Sequence, residues 1–303
     1  MKKITIAFIV VVLAIGAYFF FTFDSEKPDL TVNQNPPTDG TGVPVGGDQG
    51  QTPVNKALTV IGKSVGGRDI VAYHFGEGSE ELLFIGGIHG GYEWNTALVA
   101  GELMKYLKAN PSVVPANLKV TVIPVLNPDG LYKAVGTSTP NFSQADVSSS
   151  EDVVVAGRFN GNNIDLNRNF DCDWQANGKW QNKIVSGGTG AFSEPESLAI
   201  KNYVEAGKPV AVVTWYSAAG GVFASSCHNG VSTETNKLTE LFSKASGYPA
   251  YQDFDFYEIT GDMVNWFARE NIPAISVLLT NHTDIEWTKN KAGFEALLNY
   301  YAK

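Results

Sequence analysis

From residue 58 to the C-terminus, short runs of β-branched and other apolar residues alternate with stretches whose apolar residues recur at helical spacing. Residues 58–64 and 68–75, separated by Val65-Gly66-Gly67, predict a hairpin. Residues 82–87 form a continuous apolar run of the kind that fills the centre of a sheet covered on both faces. In residues 93–109, Ala97, Leu98, Ala100, Leu103, Met104 and Leu107 fall on one helical face. Residues 118–126 predict a strand closed by the turn sequence Asn127-Pro128-Asp129-Gly130. At Ser193-Glu194-Pro195-Glu196 a helix start is expected, with Ser193 as N-cap. Strands are expected over 209–216 and 274–280, and helices near 233–246, 261–270 and 286–302. This alternation predicts an α/β fold: a mixed, mostly parallel central sheet flanked by helices on both faces. Sites in such sheets form at the carboxyl ends of the strands. Residues 137–190 are rich in Gly, Ser and Asn with little periodicity, and an irregular stretch of that length inside a domain points to function.

The N-terminus obeys a different rule. Lys2 and Lys3 precede an apolar run over residues 4–23 that ends at Asp24. About 20 apolar residues suffice to cross a bilayer, and the two lysines favour a cytoplasmic N-terminus. A membrane anchor over 1–24 is therefore expected, giving a single-pass protein whose folded part lies on the extracytoplasmic side. A cleaved signal peptide is the alternative, but its apolar region would end in small residues, whereas this one ends Tyr18-Phe19-Phe20-Phe21. Residues 25–55 have almost no large apolar side chains and read as a flexible Pro/Gly-rich linker. A single domain is expected over 56–303. The formal net charge of −9 gives no basic surface, so nucleic acid is not an expected partner. Cys172 and Cys227 are the only cysteines; they read either as one disulfide or as two buried thiols.

Chemistry has few places to sit. Of the four histidines, His89 ends the buried run in Gly86-Gly87-Ile88-His89-Gly90-Gly91-Tyr92-Glu93. Glu93 opens the following helix and can point back into the same space. Histidine and carboxylate are zinc ligands, and a catalytic zinc takes three protein ligands. The same residues also suit a capped helix start with a hydrogen-bonded histidine. Two of the four arginines, Arg158 and Arg168, fall within eleven residues of each other, with Asn167 beside the second. Arginine grips a carboxylate through two parallel hydrogen bonds in a way that lysine does not. A structural pairing with Asp165 or Asp171 is the alternative.

Taken in order, these pieces resemble the zinc carboxypeptidases of the M14 family. The resemblance runs from about residue 56 to the C-terminus: the His89…Glu93 pair, Asn127-Pro128-Asp129-Gly130, Asp165-Leu166-Asn167-Arg168-Asn169-Phe170, Ser193-Glu194-Pro195-Glu196, and Tyr257-Glu258-Ile259-Thr260-Gly261-Asp262. It implies one zinc ion and action on the C-terminal residue of a peptide, so the implied partner is a peptide with a free C-terminal carboxylate. His89 and Glu93 would then be zinc ligands. Asn167 and Arg168 would hold the terminal carboxylate, Arg158 would polarise the scissile carbonyl, and Tyr257 would cap the bound substrate. Asp262 would suit an amine-bearing side chain, and some similar bacterial members act on cell-wall peptides. The chain departs from the family in three places. Three residues rather than two separate His89 from Glu93. Tyr216 stands where the third ligand, a histidine, is expected, and tyrosinate is a poor substitute because its ordinary pKa is about 10. Leu278 stands at the position of the general base, and no leucine can take a proton. Two functions are therefore expected: a divergent zinc carboxypeptidase, or a catalytically inactive relative that binds peptide C-termini. His228 or His282 could supply a replacement ligand.

Overall fold

The computed structural model describes residues 57–303. The anchor expected over residues 4–23, the membrane partner it implies and the linker over 25–55 lie outside the described residues. No helix among the described residues is long and apolar enough to cross a membrane.

Period-two alternation in the central strands decides which helices cover which face. In β3 (Glu80–Ile85), Leu82 and Phe84 point to one side and Leu83 and Ile85 to the other. The first pair packs with Val99 and Leu103 of α1 (Trp94–Ala109), Leu238 and Phe242 of α5 (Thr233–Ser246), and Phe294 of α7 (Trp287–Tyr301). The second pair packs with Ile200 and Val204 of α4 (Pro195–Gly207) and Met263 and Phe267 of α6 (Met263–Arg269). Each face of the sheet thus has its own apolar core, and both contain strand residues fully removed from water. That burial supplies the main driving force of folding.

The sheet has eight strands in the order β1-β2-β4-β3-β7-β10-β8-β9. They are β1 (Leu58–Lys63), β2 (Asp69–Phe75), β4 (Leu118–Ile123), β3, β7 (Ala211–Ser217), β10 (Ala274–Leu279), β8 (Gly221–Ala224) and the two-residue β9 (Ala250–Tyr251). The four central strands β4, β3, β7 and β10 are parallel, while β1, β2 and β8 run antiparallel to their inward neighbours. The mixed, mostly parallel sheet with helices on both faces is the fold expected from the alternation. After β3 the chain adds β4 on one side and later β7 on the other, so strand order reverses between β3 and β7. Crevices at such a reversal, beyond the carboxyl ends of the strands, are where ligands bind in open α/β sheets.

Two local expectations change. Asn127-Pro128-Asp129-Gly130 does not close a turn but opens α2 (Pro128–Val135): the Asn127 side chain accepts from the Gly130 amide, and Pro128 sits where no N–H is needed. The N-cap of α4 is Glu194, not Ser193, whose hydroxyl instead accepts from Asn169 and donates to Glu194. The irregular stretch 137–190 holds short elements of its own, α3 (Glu151–Ala156) and the separate hairpin β5 (Asn177–Trp180) and β6 (Lys183–Ser186). Cys172 and Cys227 are joined in a disulfide, with Cα atoms 6.2 Å apart.

Candidate functional site

Between β3 and α1 the chain turns so tightly that the His89 carbonyl accepts from both the Tyr92 and Glu93 amides. Gly90 has φ +38°, and a Cβ on Gly91 would meet Ala134 Cβ at 2.3 Å and the Gly130 carbonyl at 2.7 Å. These glycines absorb the additional residue between His89 and Glu93. The turn brings His89 Nδ1 to 2.9 Å from Glu93 Oε1, and His89 Nε2 lies 3.3 Å from Asp165 Oδ1. The distances are short but the alignment is not that of hydrogen bonds. Both ring nitrogens and Glu93 Oε2 are buried without a hydrogen-bond partner among the described residues.

Arg158 stands behind this pair. Its Nε and Nη2 both donate to Asp165 Oδ2, at 3.0 and 2.9 Å, and its guanidinium lies 4.4 Å from the centre of the Trp180 ring. Burial alone would raise the Asp165 carboxyl, but Arg158, His89 and Arg168 outweigh it and hold it well below the usual carboxylate range. The structural pairing of Arg158 with Asp165 is therefore real. Arg158 also lines the cavity described below, with Nη1 3.7 Å from Glu93 Oε1.

Arg168, expected to hold a terminal carboxylate, is engaged by the backbone. Its Nε and Nη2 donate to the Lys179 carbonyl at 3.1 and 2.5 Å, and Nη1 donates to the Asn167 carbonyl at 2.6 Å. The side chain is 1 % exposed and does not reach the cavity wall, so no direct grip on a ligand carboxylate is made from where it sits. Asn167 does line the cavity. Its Oδ1 accepts from the Tyr216 hydroxyl at 3.2 Å and the Met263 amide at 3.1 Å, and its amide nitrogen has no partner among the described residues.

Tyr216, expected as a stand-in metal ligand, is hydrogen-bonded to the protein through its hydroxyl. Burial, then the negative charges of Asp262 and Glu93, push its phenol well above the ordinary value, and its proton is donated to Asn167. Burial and the two nearby acids thus oppose the tyrosinate that a metal ligand there would require. Its register partner across β7 and β10 is Leu278, and both side chains line the cavity. Glu286 and Asp284, two acids that follow β10, are engaged elsewhere. Glu286 accepts from the Thr280 amide and hydroxyl, and Asp284 accepts from Asn281.

The cavity has a volume of about 810 Å³ and opens at the carboxyl ends of the parallel strands. His89, Glu93, Asn167, Tyr257, Asp262 and His282 all contribute to its wall. Tyr257 sits on a loop whose rings meet edge to face, 5.0 Å from Phe254, and burial raises its phenol pKa. Asp262 caps α6 through the Asn265 amide, and burial pushes its carboxyl up to about 6 against the pull of that cap and of Arg168. His282 packs 4.6 Å from the Tyr92 ring, and its Nδ1 is buried without a hydrogen-bond partner among the described residues. His228 lies outside, exposed and 3.2 Å from Asp173. His74 is structural, held between Thr59 and Thr121 at 3.0 Å each.

The residue that places His282 was not singled out in the sequence. Asn95 is fully buried; its amide nitrogen donates to the Asn281 and Asp284 carbonyls at 2.8 and 3.0 Å, and its Oδ1 accepts from Ser217 at 2.8 Å. It ties the start of α1, the end of β7 and the loop after β10 together. Its position two residues after Glu93, on the buried side of the helix start, is the signal that was available. Other motif acids hold loops rather than face the cavity. Asp129 accepts from Ser64, the Gly66 amide and Arg68, and Glu196 accepts from the Val65 amide and Asn160.

A catalytic zinc needs three protein ligands. His89 and Glu93 have the orphaned donor atoms such an ion would use, but position 216 offers a protonated phenol. Among the described residues, the one group of three His, Cys, Asp or Glu residues with donor atoms within 4.8 Å of one another is Cys172, Cys227 and His228. Its cysteines are disulfide-bonded and carry no thiolate. The donor set does not fit a catalytic zinc.

Comparison with known proteins covers most of the chain. The family model Peptidase_M14, described as zinc carboxypeptidase, matches residues 49–294. Carboxypeptidase Z of Gallus gallus is 33% identical over 123 residues, which is 36% of this chain and 18% of that protein. Carboxypeptidase O of Bos taurus is 35% identical over 94 residues, 30% of this chain and 23% of that protein. The matched part is thus under a quarter of either relative's length. Among solved structures, murein-tripeptide amidase MpaA from Escherichia coli O157 aligns with a TM-score of 0.56 at 19% identity, covering 82% of this chain and 93% of that one. Carboxypeptidase A from Helicoverpa armigera aligns with a TM-score of 0.59 at 18% identity, covering 80% and 66%. At these identities the likeness to both structures is one of fold.

Proposed function

The chain belongs to the M14 zinc carboxypeptidase family, and from that premise we propose that its cavity binds the C-terminal end of a peptide without cutting it by zinc-activated water. The observation that carries this reading is the pairing of Tyr216 with Leu278 across two parallel strands on the cavity wall. The family resemblance puts a metal ligand at the first position and a general base at the second; here one is a protonated phenol and the other has no proton acceptor. Binding groups survive. The Asn167 amide nitrogen and the Arg158 guanidinium face the cavity as donors for a carboxylate, and the Tyr257 hydroxyl stands at the rim to close over it. Arg168 joins them only if a ligand draws it off the Lys179 carbonyl. A further part of the proposal is that residues 1–24 anchor the protein and 25–55 space the domain from a membrane, on its extracytoplasmic side. The Cys172–Cys227 disulfide supports an oxidising compartment, where peptides of the cell envelope are at hand.

A second reading, an active zinc carboxypeptidase, draws support from the orphaned nitrogens of His89 and His282 and the orphaned Glu93 oxygen in one cavity wall. Metal analysis separates the two. The binding reading expects far less than one zinc per chain after zinc supplementation, and about one in the double variant Tyr216→His, Leu278→Glu. It also expects peptides with a free C-terminal carboxylate to bind at least about tenfold tighter than their amides, a difference of about 1.4 kcal/mol. Stoichiometric zinc in the wild type, lost in His89→Ala, together with zinc-dependent release of the C-terminal residue from such peptides, would establish the second reading instead.

A further inference from the structure

The cavity wall is strongly acidic. Glu93, Asp253, Asp255, Glu258 and Asp262 line it against one arginine, Arg158, whose guanidinium is already bonded to Asp165. Glu258 is neutralised by Lys179 at 2.8 Å, but Asp253 and Asp255 have neither an ion pair nor a hydrogen bond to any described residue. Both are exposed, and both sit in the run Asp253-Phe254-Asp255-Phe256-Tyr257-Glu258, where acids and aromatic rings share the cavity mouth. Phe254 lies 5.0 Å from Phe256 and 5.6 Å from Phe223 of β8, so the rings anchor the loop while Phe256 remains 59% exposed. Deeper in, the buried Glu93 carboxylate has an oxygen with no donor. An unneutralised acidic mouth repels a bare peptide carboxylate and raises the local concentration of cations. Aromatic faces next to acids attract cations with apolar stems.

We propose that the ligand is a cationic peptide, with lysine or arginine side chains just ahead of its C-terminal residue held at the mouth by Asp253, Asp255 and the Phe254 and Phe256 rings. This rests on the peptide-binding reading above. The order follows from depth: the carboxylate donors Asn167 and Arg158 are buried at the floor, and the free acids are exposed at the rim. A chain docked by its terminus therefore presents its preceding side chains to the rim.

The experiment measures binding of synthetic pentapeptides to the intact protein by calorimetry. They share one free C-terminal residue and carry lysine, acetyl-lysine or norleucine at the two preceding positions, with the C-terminal amide of the lysine peptide as control. The lysine peptide is expected to bind about tenfold or more tightly than its acetylated form at low salt. The gap should shrink in about 500 mM sodium chloride. It should also shrink in Asp253→Asn, Asp255→Asn, whose exposed side chains are not needed for folding. Equal affinity for all three side chains, with the amide still rejected, overturns the cationic assignment and leaves the C-terminal reading intact. A lysine preference that survives in the double variant overturns the rim as its source. No binding by any peptide overturns both readings.

Discussion

At the scale of single residues, the site is an arrangement of acids whose protonation differs sharply over short distances. Asp165 is held ionised by Arg158 and its neighbours, while Asp262, buried with weaker compensation, is pushed up to about 6. The sign for Asp262 is that of a raised carboxyl. Between its ordinary value of 3.8 and about 6 the folded state binds more protons than the unfolded one, so stability falls as pH rises through that window. Asp262→Asn keeps an N-cap for α6 and removes the titration. The variant is expected to lose most of the decline in unfolding free energy between about pH 4 and pH 6, a change on the order of 2–3 kcal/mol; urea titrations across that range measure it. An unchanged slope would place the titration elsewhere. His89, Glu93 and Arg158 were legible as a cluster because each sits in a short polar motif beside an apolar run. The engagement of Arg168 by the Lys179 and Asn167 carbonyls was not legible, since a sequence does not display backbone partners. Asn95 escaped notice for the same reason: two of its three bonds reach residues almost two hundred positions away.

Elements carry the next lesson. The turn holding His89 and Glu93 is pressed against the start of α2 and the end of α3 through glycines, and a Cβ on Gly130 would lie 2.2 Å from the Gly157 carbonyl. Gly130→Ala is therefore expected to destabilise by about 1–3 kcal/mol or more, because the contact is with backbone that has no rotamer to yield. Thermal unfolding reports it, and an unshifted midpoint would show that the segments can part. Strand and helix positions followed from periodicity wherever a face was apolar, as in β3, α1, β7 and β10. Where the signal was one of punctuation it was ambiguous. Asn-Pro-Asp-Gly is compatible with a tight turn and with a capped helix start, and only the packing of Leu131 into an apolar cluster with Trp94 and Val125 decides for the helix.

For the whole molecule, the cross-link between Cys172 and Cys227 spans 55 residues and joins the loop before the β5–β6 hairpin to the loop after β8. The loop after β8 reaches the cavity wall at Ser226, so the disulfide ties part of that wall to the stretch that follows Arg168. Its removal by Cys172→Ser, Cys227→Ser is expected to cost about 2–4 kcal/mol, read from denaturant midpoints. Thiol titration of the unreduced, denatured protein should find no free thiol; two would remove the cross-link from the account. One outer strand of the sheet, β1, carries an irregularity between Val60 and Gly62 and leans on α4, and the opposite outer strand, β9, is two residues long. Neither offers a neighbouring copy a long straight row of free amides and carbonyls to extend. Both ends of this eight-stranded sheet are thus closed to growth, and one described domain has no strand there onto which the next could zip.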